Sequence, residues 1–482
     1  MLNRYHMNTS VGRGTLYFMI VQVVFLASGY IIHAGLGRLL GPASYGVFGV
    51  VIYLVTLSQD FLRTGIPQAA SKYIAEDNTK AKAIKNKTAN LQLILSLIIF
   101  SVYIMLASTF SSLLKDPSLS TYIRISAFII PAAAFHSLYV GFLNGLRWYD
   151  KQALVMLVYC IAKVTGVFTL VFLGLALYGA ILGYLIGPLA GFALGWYFFK
   201  GDKGEDKNNF EYKKIIDFAM PVIILSITIT FLISADLFFV KRILMENIQA
   251  GYYTAASMLS RVPFYILSSL GFALFPAISR STAIEDIEQT KDYITGSMRY
   301  LLMLLIPTIL LISATSKSLV SFFYSSKYLP ASSSLSILIF GLGFFTIFSI
   351  LITIITASGR PRVSMLIALI LVPVSVVLNI ILISVYRLEG AALATTITTF
   401  LGTCLTAGYV VRRFNVLIDK NSLAKICAVS IIIYLIASKI SLPAILLPLL
   451  YLFLFIFYLS TLFLIKELKK EDFETFKRII YR

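Results

Sequence analysis

Phe231–Ser279 reads FLISADLFFVKRILMENIQAGYYTAASMLSRVPFYILSSLGFALFPAIS. Its first apolar run carries Asp236 and ends at the basic pair Lys241-Arg242. A polar turn follows, and a second apolar run then carries Arg261. Two apolar runs of this length, joined by a short turn, predict a helical hairpin that crosses a membrane twice.

The start of the chain has the same plan in a looser form. An apolar run reaches Arg38, a turn at Gly41-Pro42 follows, and the next apolar run carries Asp60 and Arg63. The two hairpins lie more than 200 residues apart in the chain. This arrangement predicts a duplicated membrane protein whose halves face each other across a polar cavity.

The composition places the whole chain in a membrane. Of 482 residues, 59% are hydrophobic and only 13% are charged, and the mean hydropathy is +0.87. These values exclude an ordinary soluble domain. The apolar runs are too long for barrel strands and show no alternation, so they are predicted to be helices. The net charge of +19 is attributed to the basic loops that orient membrane proteins, rather than to nucleic-acid binding.

The predicted fold is an all-α polytopic membrane protein with about fourteen transmembrane helices. Two pseudo-symmetric six-helix lobes are followed by two extra C-terminal helices. The first run continues too far for a signal peptide and is predicted to be retained. The predicted spans lie at about 13–37, 45–66, 89–113, 122–145, 153–174, 178–199, 215–240, 250–278, 299–323, 332–356, 363–386, 389–411, 422–438 and 443–465.

Charge and turn residues set the predicted domain boundaries. The tract KGDKGEDKNNFEYKK, which follows the sixth span, is typical of a linker between two lobes. Long cytoplasmic connections are also predicted at 68–88 and 280–298. The predicted domains are an N-terminal lobe (1–200), a cytoplasmic linker (201–214), a C-terminal lobe (215–412), an extra helix pair (413–465) and a cytoplasmic tail (466–482).

The distribution of basic residues predicts the orientation. With the N-terminus inside, the inner segments hold 29 Lys and Arg residues and the outer segments hold nine. Because basic residues accumulate in cytoplasmic loops, both termini are predicted to lie in the cytoplasm. The expected location is therefore the cytoplasmic membrane, crossed many times.

The sequence offers little chemistry for an enzyme. It contains no phosphate-binding G-x-x-x-x-G-K-[ST] loop, no H-E-x-x-H and no G-x-S-x-G motif. The three histidines and three cysteines are scattered, which favours neither a metal site nor a disulfide framework. No predicted outer loop is long enough for a domain that performs sugar chemistry. We therefore expect a transporter without a cofactor or a metal ion.

Ionisable groups inside the spans are the candidate site residues, because each is costly unless it faces water or a partner. Arg63, Lys163 and Arg261 predict a water-filled cationic cavity that attracts a phosphate or diphosphate group. Asp60 and Asp236 are candidate counter-charges or gate residues. Asp60 and Arg63, three positions apart, share one helix face and are placed to pair.

Further candidates lie towards the predicted outer side. His33 is a candidate for the cavity lining, whereas His136 is predicted to be a packing residue. Arg38 and the pair Lys241-Arg242, at matching ends of the two hairpins, predict an outer gate. The alternative for all of these groups is that they form buried inter-helix pairs or extend to the membrane surface.

Several stretches together resemble a known family, the polysaccharide biosynthesis (O-antigen type) flippases of the multidrug/oligosaccharidyl-lipid/polysaccharide exporter superfamily. The resemblance runs nearly end to end. It is carried by GRLLGPASYGVF (37–48), GIPQAASKYIAE (65–76), SADLFFVKRIL (234–244), AGYYTAASMLSRVP (250–263), ALFPAIS (273–279), FFYSSKYLPASSSLSIL (322–338), ITASGRPR (355–362) and LNIILISVYRLEGAALATTIT (378–398).

The resemblance implies two six-helix lobes in a V shape and transport by alternating access. The implied substrate is a polyprenyl-(di)phosphate-linked glycan, moved to the outer leaflet by a functional monomer. Membrane lipids and glycan-assembly proteins are the expected partners, and nucleic acid is not. The acidic residue that related lipid II flippases carry near the outer part of their first helix is absent, and His33 lies close to that place.

Two other classes remain open from the sequence. A drug or cation antiporter of the same superfamily would be expected to use acidic residues of the first lobe beside an apolar pocket, and the cationic pattern argues against it. A membrane enzyme of glycan assembly is disfavoured by the short outer loops.

Overall fold

The computed structural model describes residues 11–199, 210–440 and 442–468. Within these residues every regular element is helical, as predicted, and no strand occurs. The helices are α1 (Val11–Arg63), α2 (Gly65–Glu76), α3 (Ala81–Leu113), α4 (Leu119–Ser126), α5 (Ile129–Gly145), α6 (Tyr149–Leu170), α7 (Ala176–Phe199), α8 (Tyr212–Leu244), α9 (Asn247–Ser260), α10 (Val262–Leu267), α11 (Ser269–Ala283), α12 (Ile287–Ala314), α13 (Ser316–Phe323), α14 (Ala331–Ala357), α15 (Pro361–Phe414), α16 (Lys420–Lys439) and α17 (Leu447–Leu464).

Eleven helical segments of the described chain are long and apolar enough to cross a membrane. Three of them, Ile20–Glu76, Tyr149–Phe199 and Pro361–Phe414, are 51 to 57 residues long. A single crossing needs only about 20 residues, so each of these segments has the length for two crossings. The number of fourteen spans itself stays a prediction.

Each long segment contains a residue with a non-helical backbone. Gly41 has φ 73°, Gly174 has φ 87° and Arg387 has φ 53°. At Gly41 the positive φ is available because glycine has no Cβ, and Pro42 supplies a φ suited to the start of the next helix. The first break thus falls at the turn that the sequence predicts.

The long cytoplasmic connection predicted at 68–88 is largely helical. Helix α2 continues to Glu76, and α3 already begins at Ala81. The apolar residues Ile66, Ala70 and Ile74 recur at helical spacing and are buried, which stabilises α2 as a helix. The connection predicted at 280–298 is likewise almost entirely helical, because α11 ends and α12 begins within it.

The described chain divides into two compact units. The first holds the described residues up to Phe231 together with Met245–Ala250, and the second holds Leu232–Leu244 and the described residues from Gly251 onwards. The division therefore falls inside α8. The reason is that Ala219 of α8 belongs to the hydrophobic core of the first unit.

Two predicted domains fall largely outside the described residues. Of the predicted linker 201–214, only 210–214 is described, and α8 begins within it. Of the predicted tail 466–482, only 466–468 is described.

In the first unit, α7 packs closely on α6 and α5. It carries a glycine at every fourth position: Gly179, Gly183, Gly187, Gly191 and Gly195. A Cβ at position 183 would lie 2.4 Å from Val167 Cα. Small residues at this spacing let helix backbones approach closely, which is a main source of packing energy between helices in a membrane.

In the second unit, the last two helices are held by polar contacts. Glu467 is buried and accepts a hydrogen bond from Arg299 Nε of α12 at 2.9 Å, with Lys425 Nζ of α16 at 3.7 Å. The hydroxyl of Tyr458 in α17 donates to the Met303 carbonyl at 2.8 Å. The extra helix pair is therefore docked on the second unit.

We predict that Gly183→Ala destabilises the protein by about 1–3 kcal/mol, the usual effect of overpacking, because the new methyl group would collide with the α6 backbone. Thermal unfolding of the detergent-purified protein measures the effect. Gly408→Ala is the matched control, since a Cβ there meets no atom within 4 Å. Equal melting temperatures for the two variants would contradict this account of α7.

Candidate functional site

A cavity of about 500 Å³ lies within the first unit. Its walls come from α1, α2, α5, α6 and α8, and two cations, Arg63 and Lys72, line it. Four carboxamide side chains share the lining, those of Gln22, Gln68, Asn144 and Gln152. No Asp or Glu is among the described lining residues. The cavity is therefore positively charged and rich in hydrogen-bond donors, a combination that favours an oxyanion.

Glycines bring α2 into the cavity wall. A Cβ on Gly141 of α5 would lie 2.5 Å from the Pro67 carbonyl oxygen, and one on Gly65 would lie 2.6 Å from the Ala219 carbonyl oxygen. The resulting backbone approach places Ser71, which accepts from Asn144 Nδ2 at 2.9 Å. The polar face of α2 thus forms one side of the site.

Arg63, at the end of α1, is half-buried and donates from Nη1 to Gln59 Oε1 at 3.3 Å. The predicted ion pair between Asp60 and Arg63 is wrong, because the buried Asp60 carboxylate instead accepts a hydrogen bond from Thr230 of α8. The guanidinium has five donors and uses one of them within the described residues. Arg63 thus has most of its donors available to the cavity.

Lys72 supplies the second cation. Its Nζ lies 4.8 Å from the ring centroids of Tyr73 and Phe218. It also lies 3.8 Å from Glu76 Oε1, in a pair whose side chains are 43% and 57% exposed. Such an exposed pair is weak, so the Lys72 ammonium remains available to a ligand.

Three stacked rings form another part of the wall. Phe25 and Tyr159 lie 6.3 Å apart between centroids, and Tyr159 and His136 lie 4.7 Å apart with an interplanar angle of 10°. The Nδ1 atom of His136 is buried and has no hydrogen-bond partner in the described chain. The sequence predicts a packing residue here, whereas the structure places His136 on the cavity lining.

Lys163 lies behind this wall and does not line the cavity. It is only 5% exposed. Its Nζ lies 5.5 Å from the Phe25 centroid, 5.0 Å from that of Tyr159 and 5.2 Å from that of Tyr184. Aromatic rings attract a cation through their quadrupoles, and no carboxylate of the described residues forms an ion pair with this one. The Lys163 ammonium is separated from the cavity by the Tyr159 ring, which lines the cavity, and its positive charge adds to the potential there.

His33 lies deeper in the first unit. It is 8% exposed, its Nδ1 lies 2.9 Å from the Tyr45 hydroxyl, and its Nε2 lies 3.3 Å from the Tyr184 hydroxyl. The ring therefore links the two parts of α1 to α7. The structure does not place His33 on the lining of this cavity.

In the second unit, Asp236 is 3% exposed. Its carboxylate accepts from the Tyr253 hydroxyl at 2.6 Å, from the Thr395 hydroxyl at 2.9 Å and from the Leu237 backbone N–H at 2.8 Å. Three donors of this kind stabilise a buried carboxylate.

Arg261 also lies in the second unit, at the junction of α9 and α10. Its Nη2 donates to the Ile233 carbonyl at 2.7 Å and to the Ser234 hydroxyl at 2.9 Å, while its Nε is buried without a hydrogen-bond partner in the described chain. It forms no ion pair with Asp236. Its predicted contact with a substrate headgroup stays a prediction.

The three predicted gate residues have different surroundings. Arg38 is exposed, Arg242 is half-buried, and Lys241 is only 1% exposed. The two hairpin ends are thus not equivalent at these positions. The gating role stays a prediction.

Sequence reasoning missed Lys72 and Gln68 as lining residues because both fall in the stretch taken as a connection between spans. A usable signal was present: Gln68, Ser71 and Lys72 recur at helical spacing opposite the buried Ile66 and Ala70. Among the described residues, no cluster of three or more His, Cys, Asp or Glu side chains could hold a metal ion.

Comparisons with known proteins match the chain to a polysaccharide biosynthesis family and to membrane transporters. The model of the family described as "Polysaccharide biosynthesis protein" matches residues 11–282. The lipid II flippase MurJ of Bacillus subtilis is 22% identical over 432 residues, which cover 79% of this chain and 78% of that protein. The putative O-antigen transporter of Shigella flexneri is 23% identical over 405 residues, which cover 79% of this chain and 93% of that protein.

Solved structures show the fold. A lipid II flippase MurJ in an inward closed conformation matches with a TM-score of 0.73 and 16% identity, over 93% of this chain and 97% of that one. A multidrug resistance MATE family transporter in an inward-facing conformation matches with a TM-score of 0.68 and 14% identity, over 82% of this chain and 98% of that one. At these identities the likeness concerns the fold alone.

The charge of the cavity predicts a reactivity preference. In a background without Cys160, Cys404 and Cys427, a cysteine at Ser137, which lines the cavity, should favour anionic sulfonatoethyl methanethiosulfonate over the cationic trimethylammonium reagent, when each rate is divided by that reagent's rate with a small thiol in solution. Local positive potential concentrates anions and repels cations. Labelling rates on the purified protein measure the ratio.

Arg63→Gln in the same background should lower this ratio. Arg124→Gln is the control, because Arg124 is exposed and bonds Ser108 outside the cavity. A higher normalised rate with the cationic reagent, with Arg63 in place, would contradict the assignment of an anion-attracting site.

Proposed function

The chain belongs to the polysaccharide biosynthesis protein family, and we propose that it is a flippase for a lipid-linked oligosaccharide or glycan precursor. The substrate moves from the inner to the outer leaflet of the cytoplasmic membrane by alternating access. The relatives named above are a flippase and a putative transporter, so this chain is a transporter rather than an enzyme.

The observation that carries the proposal is the cationic cavity of the first unit, with Arg63 and Lys72 on its lining and no acidic residue among the described lining side chains. A polyprenyl-(di)phosphate headgroup is the lipid-linked group that such a cavity attracts. The planar guanidinium of Arg63 suits two phosphate oxygens at once, and electrostatic attraction is strong where water is partly excluded.

The amide groups of the lining suit the sugar. Gln68, Asn144 and Gln152 offer both donors and acceptors, which is what sugar hydroxyl groups require. A cavity of about 500 Å³ falls within the usual range of small-molecule sites. The hydrocarbon tail of the substrate stays in the bilayer, so it is never exposed to water during transport.

Other parts of the proposal rest on the sequence. Both termini lie in the cytoplasm, and a monomer is sufficient for transport. Arg261 is a second candidate headgroup contact, and Arg38 with Lys241 and Arg242 are candidate gate residues. Membrane lipids and glycan-assembly proteins of the cell envelope are the proposed partners.

A drug or cation antiporter is the alternative, and the fold is compatible with it. Such a transporter needs an acidic group where the cation binds. In the first unit the buried Asp60 bonds Thr230 and is not on the cavity lining. The charge of the described cavity therefore favours the flippase.

We predict that Arg63→Ala abolishes glycan export and causes the lipid-linked precursor to accumulate, because the cavity loses its bidentate phosphate donor. Arg63→Lys should retain part of the export, since the charge remains but the fork geometry does not. Complementation of a deletion strain, with the lipid-linked intermediates identified by mass spectrometry, measures both.

Arg124→Ala is the matched control, as an exposed arginine of the same unit, and should export normally. Protein levels in the membrane must be equal for all three variants. Normal export by Arg63→Ala, or accumulation of no lipid-linked precursor in the deletion strain, would contradict the proposal.

A further inference from the structure

Lysines lie over aromatic rings at one end of the first unit, outside the cavity. Lys87 Nζ of α3 lies 4.6 Å from the ring centroid of Tyr212, at the start of α8. Lys151 Nζ of α6 lies 3.8 Å from the ring centroid of Trp148, the residue before that helix. We call these four residues the lysine–aromatic rim.

Further contacts join the rim into one surface. Trp148 stacks on Phe199, the last residue of α7, with ring centroids 5.6 Å apart. Lys85 Nζ, on α3 two positions before Lys87, lies 4.6 Å from the centroid of the same Phe199 ring. The rim therefore runs from the start of α6, past the end of α7 and the start of α3, to the start of α8.

The rim lies where the chain enters and leaves the membrane. Each of its parts is close to an end of a segment that is long and apolar enough to cross a bilayer. Tyrosine and tryptophan are enriched at this level of a membrane, and the stem of a lysine lies along apolar surface while its ammonium reaches water. The segments concerned are Asn78–Leu113, Tyr149–Phe199 and Tyr212–Leu244.

Positive charge exceeds negative charge at this end. The stretches 72–87, 147–151 and 210–218 carry nine Lys and Arg residues against five Asp and Glu residues. Within the described chain, neither Lys87 nor Lys151 forms an ion pair, so the rings they cover leave their charges uncompensated. The five acids are Glu76, Asp77, Asp150, Glu211 and Asp217.

An apolar strip continues from the rim along α8. Its members are 38% to 48% exposed and recur at every fourth position, which places them on one face of the helix. The strip starts at the rim and follows a membrane-crossing segment, so it has the position of an acyl chain in the bilayer. It consists of Tyr212, Ile216, Met220 and Ile224.

The two features together fit a lipid better than a soluble partner. An acidic protein would be complementary to the lysines, but it could not reach an apolar strip that lies along a membrane-crossing helix. A phospholipid with a negative headgroup is complementary to both, since its phosphate meets the ammonium groups while its acyl chain follows the strip.

We propose that the lysine–aromatic rim binds the headgroups of anionic phospholipids in the leaflet at this end of the protein. Lys87 and Lys151 supply the charge, and the rings of Tyr212 and Trp148 hold the two ammonium groups at the membrane surface. This binding does not depend on what the cavity transports, because none of the four residues lines the cavity.

Quenching of tryptophan fluorescence by brominated phospholipids tests the proposal. The chain has two tryptophans, and Trp196→Phe leaves Trp148 of the rim as the only one. The protein is reconstituted in equal amounts of phosphatidylglycerol and phosphatidylcholine with the same acyl chains, and either lipid is brominated in turn. The two degrees of quenching, each relative to the unbrominated bilayer, give the relative affinity of the two headgroups beside Trp148.

Phosphatidylglycerol should be favoured by about fivefold, the effect of one lysine close to the membrane surface. Lys151→Gln should bring the ratio close to one, because the charge is lost. Lys151→Arg should keep the preference, because the charge remains. Dividing by the fluorescence of the same variant in unbrominated lipid removes any direct effect of these substitutions on the indole.

A second reporter tests the other end of the rim. Tyr212→Trp, combined with Trp148→Phe and Trp196→Phe, places the only tryptophan on α8. Phosphatidylglycerol should again be favoured by about fivefold, and Lys87→Gln should remove the preference. Melting temperatures show that each variant is folded.

Lys115→Gln is the matched control for both reporters. Lys115 is exposed and follows the opposite end of α3, about 40 Å from Lys87 along the helix, so its loss should leave both ratios unchanged. Equal affinity for the two lipids at both reporters overturns the proposal. So does a preference that survives both Lys151→Gln and Lys87→Gln, or one that falls equally in Lys115→Gln.

Discussion

The central feature of the first unit is the presence of two cations, Arg63 and Lys163, that form no ion pair with a described carboxylate inside a membrane-spanning protein. Ionisable groups in this setting must face water or a partner. Arg63 faces the cavity, and Lys163 is enclosed by three rings without a paired carboxylate. The buried Asp60 of this region accepts a hydrogen bond from the Thr230 hydroxyl. The excess positive charge lies on or beside the cavity, which is why we propose an anionic ligand.

Close helix packing makes that cavity possible. The glycines of α7 let this helix approach α6 and α5, with Gly187 against Lys163 and Gly191 against His136. Gly141 and Gly65 bring α2 towards α5 and α8 in the same way. Without these contacts, the helices that carry the cations would lie farther apart, and the fields of the cations would add less strongly at one place.

The sequence predicts the helical fold and the first break at Gly41, because apolar length and the Gly-Pro turn are local properties. It predicts Arg63 as a lining residue for a similar reason, since a charge in an apolar span needs a polar environment. It fails for Lys72, which lies on α2, because most of this helix falls in the stretch predicted as a connection between spans. It also fails for Lys163 and His136. Which of these two faces the cavity depends on how the rings of Phe25 and Tyr159 pack, and that is a tertiary property.

Reconstituted transport tests the central claim most directly. The purified chain in vesicles is given a fluorescent short-chain polyprenyl-diphosphate sugar, and a membrane-impermeant quencher reports how much probe can reach the outer leaflet. The account predicts that nearly all of this probe becomes quenchable, whereas a phosphate-free glycolipid with the same chain and sugar stays about half protected. Equal transfer of the two lipids, or none of the diphosphate lipid, would contradict it.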